Sequence, residues 1–335
     1  MPLPEKSLIA QTRRMAAARS ATSARSISQR RSIIAGIGDD CAVLRLSAAK
    51  GKKLDTLVTT DFSLEGIHFR RDWHSAESAG HRCLARGLSD IAAMGGEPVA
   101  AFLSLAVPAR VPQLWIKHFI GGLLALANEH GVTLSGGDTA ESPEGILADI
   151  VVVGSVPKGK ALLRSGARPG DRIYVSGDLG GSAAVLTEMI RNPKRKLNPR
   201  DYPRHFFPEP RIEMGRVLSE KGLASAMIDI SDGLSTDLAH ICEESGVGAE
   251  VQAEAIPRAE VGKPLRKVDL DLALHGGEDY ELLFTAPRSK RIPSCVAGVR
   301  ITLIGRIMGS KKILLKKGSR PAVELKPQGW EHFRR

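Results

Sequence analysis

The chain of 335 residues lacks any hydrophobic run long enough to cross a bilayer. Its longest nearly uncharged apolar stretch, residues 98–108, is far shorter than the roughly 20 residues that a membrane-spanning helix needs. Cysteine is also scarce, and none of the four cysteines belongs to a Cys-x-x-Cys pair. These absences exclude a helical membrane span and argue against a zinc site, and they predict a cytoplasmic protein with free thiols.

Familiar catalytic motifs are missing too. The chain has no complete Gly-x-x-x-x-Gly-Lys-Ser/Thr phosphate loop, no kinase-type catalytic loop, no His-Glu-x-x-His and no Gly-x-Ser-x-Gly. Residues 154–160 have the spacing of the phosphate loop, but Ala161 follows where a metal-binding hydroxyl is needed. The sequence therefore offers no obvious nucleophile.

Acidic residues are fewer than basic ones: 37 Asp and Glu against 48 Lys and Arg give a formal net charge of +11. Such a field attracts nucleic acids, anionic membranes and small phosphorylated substrates alike. The basic residues are spread along the chain, without the interleaved aromatic residues that stack on bases. We therefore expect no nucleic-acid or membrane partner, and a basic nucleic-acid-binding protein remains the rival of another class.

Residues 1–32 form a basic arm without the apolar core of a signal peptide. Its composition also fits a transit peptide, but we favour a solvated basic helix. Beyond the arm, apolar runs and amphipathic segments alternate in two stretches, which predicts two α/β domains over residues 33–157 and 158–335. The main predicted strands are 57–62, 99–107, 146–156, 172–176, 224–228, 249–251, 280–285 and 301–307. The main predicted helices are 75–94, 111–130, 182–190, 208–221 and 234–245.

Acidic residues recur beside Gly, Ser or Thr where these apolar runs stop. The instances are Asp39-Asp40, Asp61, Asp90, Asp138, Asp229 with Asp232, and Glu278-Asp279. Each one alone is more simply explained as turn or helix-capping chemistry. Together they predict a site, because ligands of open α/β sheets bind beyond the strand ends. So many like charges would repel one another unless cations lay among them, and oxygen ligands of this kind suit Mg²⁺.

A carboxylate-rich site without a nucleophile suits phosphoryl transfer, which needs positioning and charge neutralisation more than covalent chemistry. An acceptor that is itself a phosphate has a second pKa of roughly 6, so it is largely ionised at neutral pH. Such an acceptor needs no general base.

Seven motifs, read in order, resemble the thiamine-monophosphate kinase family, whose superfamily also contains aminoimidazole ribonucleotide synthetase and selenophosphate synthetase. They are GIGDDCAVL (36–44), TTDFSLEGIHF (59–69), LSDIAAMGGEP (88–98), SGGDT (135–139), LLRSGARPGD (162–171), IDISDGLSTDL (228–238) and GGEDYELLFT (276–285). The resemblance implies the superfamily's two-domain architecture of mixed α/β layers, with a homodimer built through the N-terminal domains. It also implies ATP-dependent phosphorylation of thiamine monophosphate to thiamine diphosphate, the last step of its biosynthesis, by direct in-line transfer with several Mg²⁺ ions.

The resemblance also assigns roles to individual residues. The implied Mg²⁺ ligands are Asp40, Thr59, Thr60, Asp61, Asp90, Asp138, Asp229 and Asp232, of which Asp40, Asp61, Asp90, Asp138 and Asp229 carry catalysis. The implied nucleotide contacts are Gly137, Asp138, Arg164 and Ser231. The implied thiamine-phosphate contacts are His68, Glu278 and Trp330. The adenine contact stays unassigned, because the helix position that supplies an aromatic residue in some family members falls near Ile120 or Gly121.

Several of these residues have simpler explanations. His68 could be a core histidine, Trp330 a packing residue, Arg164 a surface arginine and Ser231 or Asp232 a helix cap. The nearest functional rivals are the other ATP-using enzymes of the superfamily. Selenophosphate synthetases usually carry a reactive Cys followed shortly by Lys, which this chain lacks, and aminoimidazole ribonucleotide synthetases are not expected to combine TTDFSLEGIHF with GGEDYELLFT.

Asp39 and Asp40 are neighbours, and adjacent side chains of an extended chain point to opposite faces. Only one of the two should therefore face the site. The motif favours Asp40 as the metal ligand, and it leaves Asp39 to shape the turn after Gly38 or to support its neighbour.

Overall fold

The computed structural model describes residues 5–22, 33–45 and 54–332. In the basic arm, Glu5–Thr22 forms helix α1, and residues 7–15 of that helix are exposed to solvent. The predicted solvated helix is thus confirmed for residues 7–15, whereas residues 1–4 and 23–32 of the arm lie outside the described residues. No helix in the described part of the chain has the length and hydropathy that a bilayer span requires.

The first sheet has six strands. They are β1 (Ile33–Ala35), β2 (Ala42–Leu44), β3 (Leu54–Leu64), β4 (Glu97–Val107), β5 (Thr133–Glu141) and β6 (Leu147–Pro157). Their order is β1-β2-β3-β6-β4-β5, and all neighbours are antiparallel except the parallel pair β4–β5. The long central strands alternate between buried and less buried residues, as expected for a sheet that is covered on one face.

Helices α2 (Ala76–Ala93) and α3 (Gln113–Glu129) cover that face. The two helices approach closely because glycines lie at the contact. A Cβ added at Gly80 would come within 1.8 Å of the Phe119 carbonyl oxygen, and one at Gly122 within 2.0 Å of the Glu77 carbonyl oxygen. Leu84, Leu88 and Ile91 of α2 are fully buried in the core beneath the helices.

The second sheet is built from residues 172–324. Its strands are β7 (Arg172–Ser176), β8 (Ala226–Ile230), β9 (Gly248–Gln252), β12 (Glu281–Ala286), β13 (Cys295–Val296), β14 (Val299–Met308), β15 (Ile313–Lys316) and β16 (Val323–Glu324), and β10 (Glu260–Val261) with β11 (Arg266–Lys267) forms a separate hairpin. The order is β16-β15-β9-β14-β7-β12-β8, with β13 paired to β14. The helices are α4 (Gly181–Arg191), α5 (Pro203–Phe206), α6 (Ile212–Glu220), α7 (Leu234–Ser245) and α8 (Leu270–His275), with short 3₁₀ turns at Pro199–Asp201 and Ala253–Ala255.

Helix α2 also packs against the second sheet's layer, which fixes one half of the molecule against the other. Ala92 and Ala93 of α2 share a buried cluster with Met214 and Leu218 of α6. The fit is close, since a Cβ added at Gly215 would come within 2.0 Å of the Ala92 carbonyl oxygen. The C-terminal half of α2 therefore lies between the two sheets.

The predicted mixed α/β layers are confirmed, and α7 and β7 have the predicted bounds. Other elements differ. The helix predicted at 208–221 begins only at Ile212, because Pro208 and Pro210 keep the preceding residues extended. The strand predicted at 224–228 lies at 226–230, and β5 was not predicted because Gly136 and Gly137 weaken strand propensity. The domain limits 1–32, 33–157 and 158–335 stay predictions.

Candidate active site

Three carboxylates from distant parts of the chain meet between the two sheets. Asp40 precedes β2, Asp90 lies on α2 and Asp229 lies in β8. Each offers an oxygen atom within 4.8 Å of the others, and Asp40 and Asp229 are buried. We call Asp40, Asp90 and Asp229 the carboxylate triad.

Neighbouring side chains hold each member of the triad. Ser89 Oγ donates a hydrogen bond to Asp229 Oδ2 at 2.6 Å, and the Thr59 hydroxyl donates to Asp90 Oδ2. Arg164 Nη2 donates to Asp40 Oδ1 at 2.6 Å. These bonds fix the carboxylate orientations, as a preorganised ligand site requires.

The triad carries more negative charge than its surroundings neutralise. Burial raises the pKa of Asp90 far above its ordinary range, and the charges of Asp61, Asp229 and Asp40 raise it further. Burial and the Asp40 charge raise the pKa of Asp229 to about 7, although the hydrogen bond from Ser89 opposes this rise. A divalent cation would stabilise all three ionised groups at once.

The triad also fits a cation geometrically. Asp40 Oδ2 is buried and finds no hydrogen-bond partner among the described residues. A buried, unpaired carboxylate oxygen is costly unless a ligand satisfies it. Three carboxylates with a hydroxyl beside them are the all-oxygen donor set that suits Mg²⁺.

Asp39 and Asp40 have different tasks in the structure. Asp39 Oδ1 accepts a hydrogen bond from the backbone N–H of Arg164 at 2.8 Å, whereas Asp40 joins the triad and pairs with the Arg164 side chain. The predicted separation of the two neighbours is therefore present. Burial raises the pKa of Asp39, and the bond from the Arg164 backbone opposes this effect.

Asp61 lies near the triad, but not at a strand end as the sequence suggested. It sits inside β3, which continues to Leu64, and Asp90 likewise lies in a helix rather than after a strand. Asp61 Oδ1 accepts from Arg86 Nε at 3.4 Å. Burial raises the pKa of Asp61, against the opposing charge of Arg86.

Thr60 projects from the opposite face of β3. Strand alternation places Thr59 and Asp61 on the helix-covered face, and Thr60 on the other. There Thr60 Oγ1 donates to Asp149 Oδ1 at 2.6 Å. The structure therefore does not bring the Thr60 side chain to the triad.

Gly137 and Asp138 lie inside the exposed strand β5, not at a strand end. Gly137 has a φ of +145°, and a Cβ there would come within 1.8 Å of the Leu103 carbonyl oxygen, so only glycine fits. Asp138 Oδ1 accepts from the Thr139 backbone N–H at 2.8 Å. Asp138 is not a member of the triad.

Ser231, Asp232 and Gly233 lead from β8 into α7. The N-cap residue of α7 is Gly233, which has no side chain to accept a capping hydrogen bond. Instead the buried Asp237 Oδ2 accepts from the backbone N–H groups of Asp232 at 3.3 Å and of Gly233 at 3.0 Å. Asp237 therefore accepts hydrogen bonds from backbone N–H groups at the start of α7, a capping role that the sequence pattern suggested for Ser231 or Asp232.

The predicted thiamine-phosphate contacts are gathered beside the triad. His68 Nδ1 accepts from the Leu64 backbone N–H at 2.9 Å, so the ring is held in one orientation. Its centroid lies 5.5 Å from that of His332, which lies 5.7 Å from that of Trp330. Burial lowers the pKa of His68 to about 3, with a further contribution from Arg86, so His68 is neutral at physiological pH. Trp330 is 53% exposed and is therefore not a core packing residue.

Glu278 is presented by a strained turn. Glu278 has a φ of 64° and Tyr280 a φ of 51°, values that non-glycine residues rarely adopt and that often mark functional sites. Arg82 Nη2 lies 2.6 Å from Glu278 Oε1, and Arg86 Nη1 lies 3.5 Å from the same atom. Burial acts to raise the pKa of Glu278, but the two arginines outweigh it and hold that pKa at about 2.

Sequence reasoning missed Arg82, Arg86, Asp149 and Asp237. A signal existed for the two arginines, because residues 82, 86 and 90 are spaced by four and therefore share one face of α2. Asp149 and Asp237 lie outside the motif positions to which roles were carried over. The fold places Asp237 at the start of α7 beside Asp232, and it places Asp149 with Thr60 on the open face of the first sheet.

Comparison with known proteins identifies the class that this fold and site define. The family models "AIR synthase related protein, N-terminal domain" and "AIR synthase related protein, C-terminal domain" match residues 38–156 and 168–315. The chain is therefore a two-domain protein of the AIR synthase related class.

Relatives narrow this class to one family. The thiamine-monophosphate kinase of Salmonella typhimurium is 39% identical over 318 residues, which cover 91% of this chain and 94% of the relative. That of Bacillus subtilis is 35% identical over 312 residues, covering 90% and 94%. The solved structure of AaThiL complexed with AMPPCP and TMP matches with a TM-score of 0.80 at 30% identity, covering 99% of both chains. The chain belongs to the thiamine-monophosphate kinase family.

Proposed function

We propose that this protein transfers the γ-phosphate of ATP to thiamine monophosphate and releases thiamine diphosphate and ADP, the last step of thiamine diphosphate biosynthesis. The observation that carries the proposal is the carboxylate triad, which pairs with Arg164 through Asp40. Asp61, near the triad, contacts Arg86, and Arg86 in turn contacts Glu278. The AaThiL relative, which was solved with AMPPCP and TMP, binds the matching pair of a nucleotide analogue and an acceptor.

The triad holds Mg²⁺, with Thr59 and Asp61 beside it. Bound there, the ions would neutralise the phosphate oxygens of donor and acceptor and so lower the repulsion between them. The unpaired Asp40 Oδ2 and the raised pKa values of Asp90 and Asp229 support this assignment. Thr60, Asp138 and Asp232 remain ligands that only the family resemblance predicts.

The chain's own residues bind and orient the two substrates. Arg164 and Ser231, with Gly137 in the conformation that only glycine tolerates, contact the nucleotide. Glu278, ionised and held by two arginines, faces the cationic part of thiamine, and Trp330 offers an exposed aromatic face to its rings. The acceptor phosphate is already ionised at neutral pH, so no side chain has to remove a proton from it.

The test is acceptor specificity. Purified protein with ATP and Mg²⁺ should convert thiamine monophosphate to the diphosphate, with the products resolved by chromatography. Free thiamine should give no thiamine monophosphate, because its hydroxyl needs a general base, and burial lowers the pKa of His68 to about 3, which makes it too weak a base for this task. Failure to form the diphosphate from the monophosphate would refute the proposal.

We further propose that a second copy of the chain covers the open face of the first sheet. Val151 lies between Thr60 of β3 and Phe102 of β4 on the face that α2 and α3 leave uncovered, and Phe102 is 37% exposed. A contiguous apolar surface on a sheet marks an interaction site, and the resemblance supplies the homodimer as its occupant. The free thiols of the chain and the biosynthetic role support a cytoplasmic location.

Val151→Glu should convert the dimer into a monomer, because a charge would be buried at the centre of the proposed interface. Light scattering after gel filtration measures the mass directly. Leu114→Glu is the matched control, since Leu114 is 61% exposed on α3, away from the sheet's open face, and should leave the dimer intact. A monomeric wild-type protein, or a Val151→Glu dimer, would contradict the assignment.

A further inference from the structure

One guanidinium lies between the metal-site acid Asp61 and the substrate-site acid Glu278. Arg86 Nε lies 3.4 Å from Asp61 Oδ1, and Nη1 lies 3.5 Å from Glu278 Oε1 and 3.3 Å from the Tyr280 hydroxyl. The side chain is 16% exposed, so it is mostly desolvated but still reachable.

The position of this guanidinium suits the phosphate group of an acceptor. If Glu278 holds the thiamine end and Asp61 borders the Mg²⁺ site, the acceptor phosphate lies between them, where Arg86 is. The contacts of Arg86 to Asp61, Glu278 and Tyr280 engage Nε and Nη1. Among the described residues these contacts leave the Nη2 amino group available to a ligand. A guanidinium in a desolvated site is well suited to bind phosphate oxygens.

We infer that Arg86 contacts the substrate and binds the phosphate group of the acceptor, and that it makes the site prefer a phosphorylated thiamine over thiamine. The inference rests on the proposed function. It is distinct from a structural role, in which Arg86 would only hold Glu278 and Asp61 in place and would serve both acceptors equally.

Arg82 provides the contrast on the same helix. One turn earlier on α2, its side chain is 4% exposed and donates to the His205 backbone carbonyl and to Glu278. Arg82 therefore acts on the substrate only through Glu278. Comparing the Arg→Lys substitution at residue 82 with that at residue 86 therefore distinguishes an effect through Glu278 from the loss of a direct phosphate contact.

The experiment is calorimetric titration of the full chain with Mg²⁺ and AMPPCP, using thiamine monophosphate and thiamine as separate ligands. Wild type should bind the monophosphate more tightly than thiamine. Arg86→Gln should lower this preference by about tenfold or more, the worth of one charge-assisted hydrogen bond, because the monophosphate loses a direct contact whereas thiamine is affected only through Glu278. Arg82→Lys should weaken both ligands by the same factor and leave the preference unchanged.

Arg86→Lys keeps the positive charge but loses the planar set of guanidinium N–H donors, so it should retain part of the preference for thiamine monophosphate over thiamine. If Arg86→Gln fails to fold, as judged by circular dichroism, this variant carries the test. An unchanged preference in the folded Arg86 variants, or an equal loss for both ligands, would overturn the inference. A wild type that does not bind the monophosphate would instead refute the proposed function, so the two failures are distinguishable.

Discussion

Replacing Asp90 by asparagine should reduce kcat by about 100-fold or more, because the substitution removes one charge from the carboxylate triad that we propose as the Mg²⁺ site. Asparagine has nearly the same shape, and its amide oxygen can still accept the hydrogen bond from Thr59. The loss should therefore come from charge and not from altered packing. Steady-state kinetics at saturating ATP and thiamine monophosphate measure this effect.

The same substitution should not lower stability when Mg²⁺ is removed. Without a cation, burial and the neighbouring acids raise the pKa of Asp90 and so disfavour its charged form, and the neutral asparagine carries no such electrostatic cost. Thermal unfolding in chelator should therefore give a melting temperature for Asp90→Asn at least equal to that of wild type. Added Mg²⁺ should raise the melting temperature of wild type more than that of the variant. A variant that melts much lower in chelator would mean that Asp90 is a structural residue.

Asp40→Asn and Asp39→Asn should have unequal effects although the residues are adjacent. Asp40 belongs to the triad and leaves Oδ2 unpaired, so its replacement should cost about 100-fold or more in kcat and weaken the dependence on Mg²⁺. Asp39 accepts a backbone hydrogen bond that asparagine can also accept, so its replacement should cost less than about tenfold.

Each variant of this pair is the control for the other, since both change the same side chain in the same turn. Kinetics over a range of Mg²⁺ concentrations, with circular dichroism to verify folding, make the comparison. Equal losses would mean that this turn presents both carboxylates to the metal site and that strand alternation does not separate them.

The sequence predicted the layers of the fold better than the details of the site. Helices α2 and α7 were recognisable because their apolar residues recur with helical spacing between clear start and stop signals. Strand β5 was not, because its exposed residues and Gly136-Gly137 resemble a turn. Local pattern favours a turn there, whereas the parallel pairing with β4 makes it a strand.

In the site, too, local sequence pattern predicts some positions correctly and others not. The ordered motifs indicated Asp40, Asp90 and Asp229, and the structure brings these three together from elements that are distant along the chain. The local sequence pattern predicts Asp61 at a strand end, whereas β3 continues to Leu64. The pattern also gives no sign that Thr60 faces the other side of the sheet, where it contacts Asp149. Arg86 lies outside the seven motifs. Helical spacing places it on the same face of α2 as Asp90, but its position between Asp61 and Glu278 follows from tertiary contacts.

The central claim is that the protein moves a phosphate group directly from ATP to a phosphate acceptor with the help of metal ions held by carboxylates. The most direct measurement follows the fate of the γ-phosphate of labelled ATP in a single turnover with thiamine monophosphate, with Mg²⁺ and again with chelator. The label should appear in the terminal phosphate of thiamine diphosphate with Mg²⁺, and in no product with chelator. Label that appears only as free phosphate, or transfer that persists in chelator, would contradict the claim.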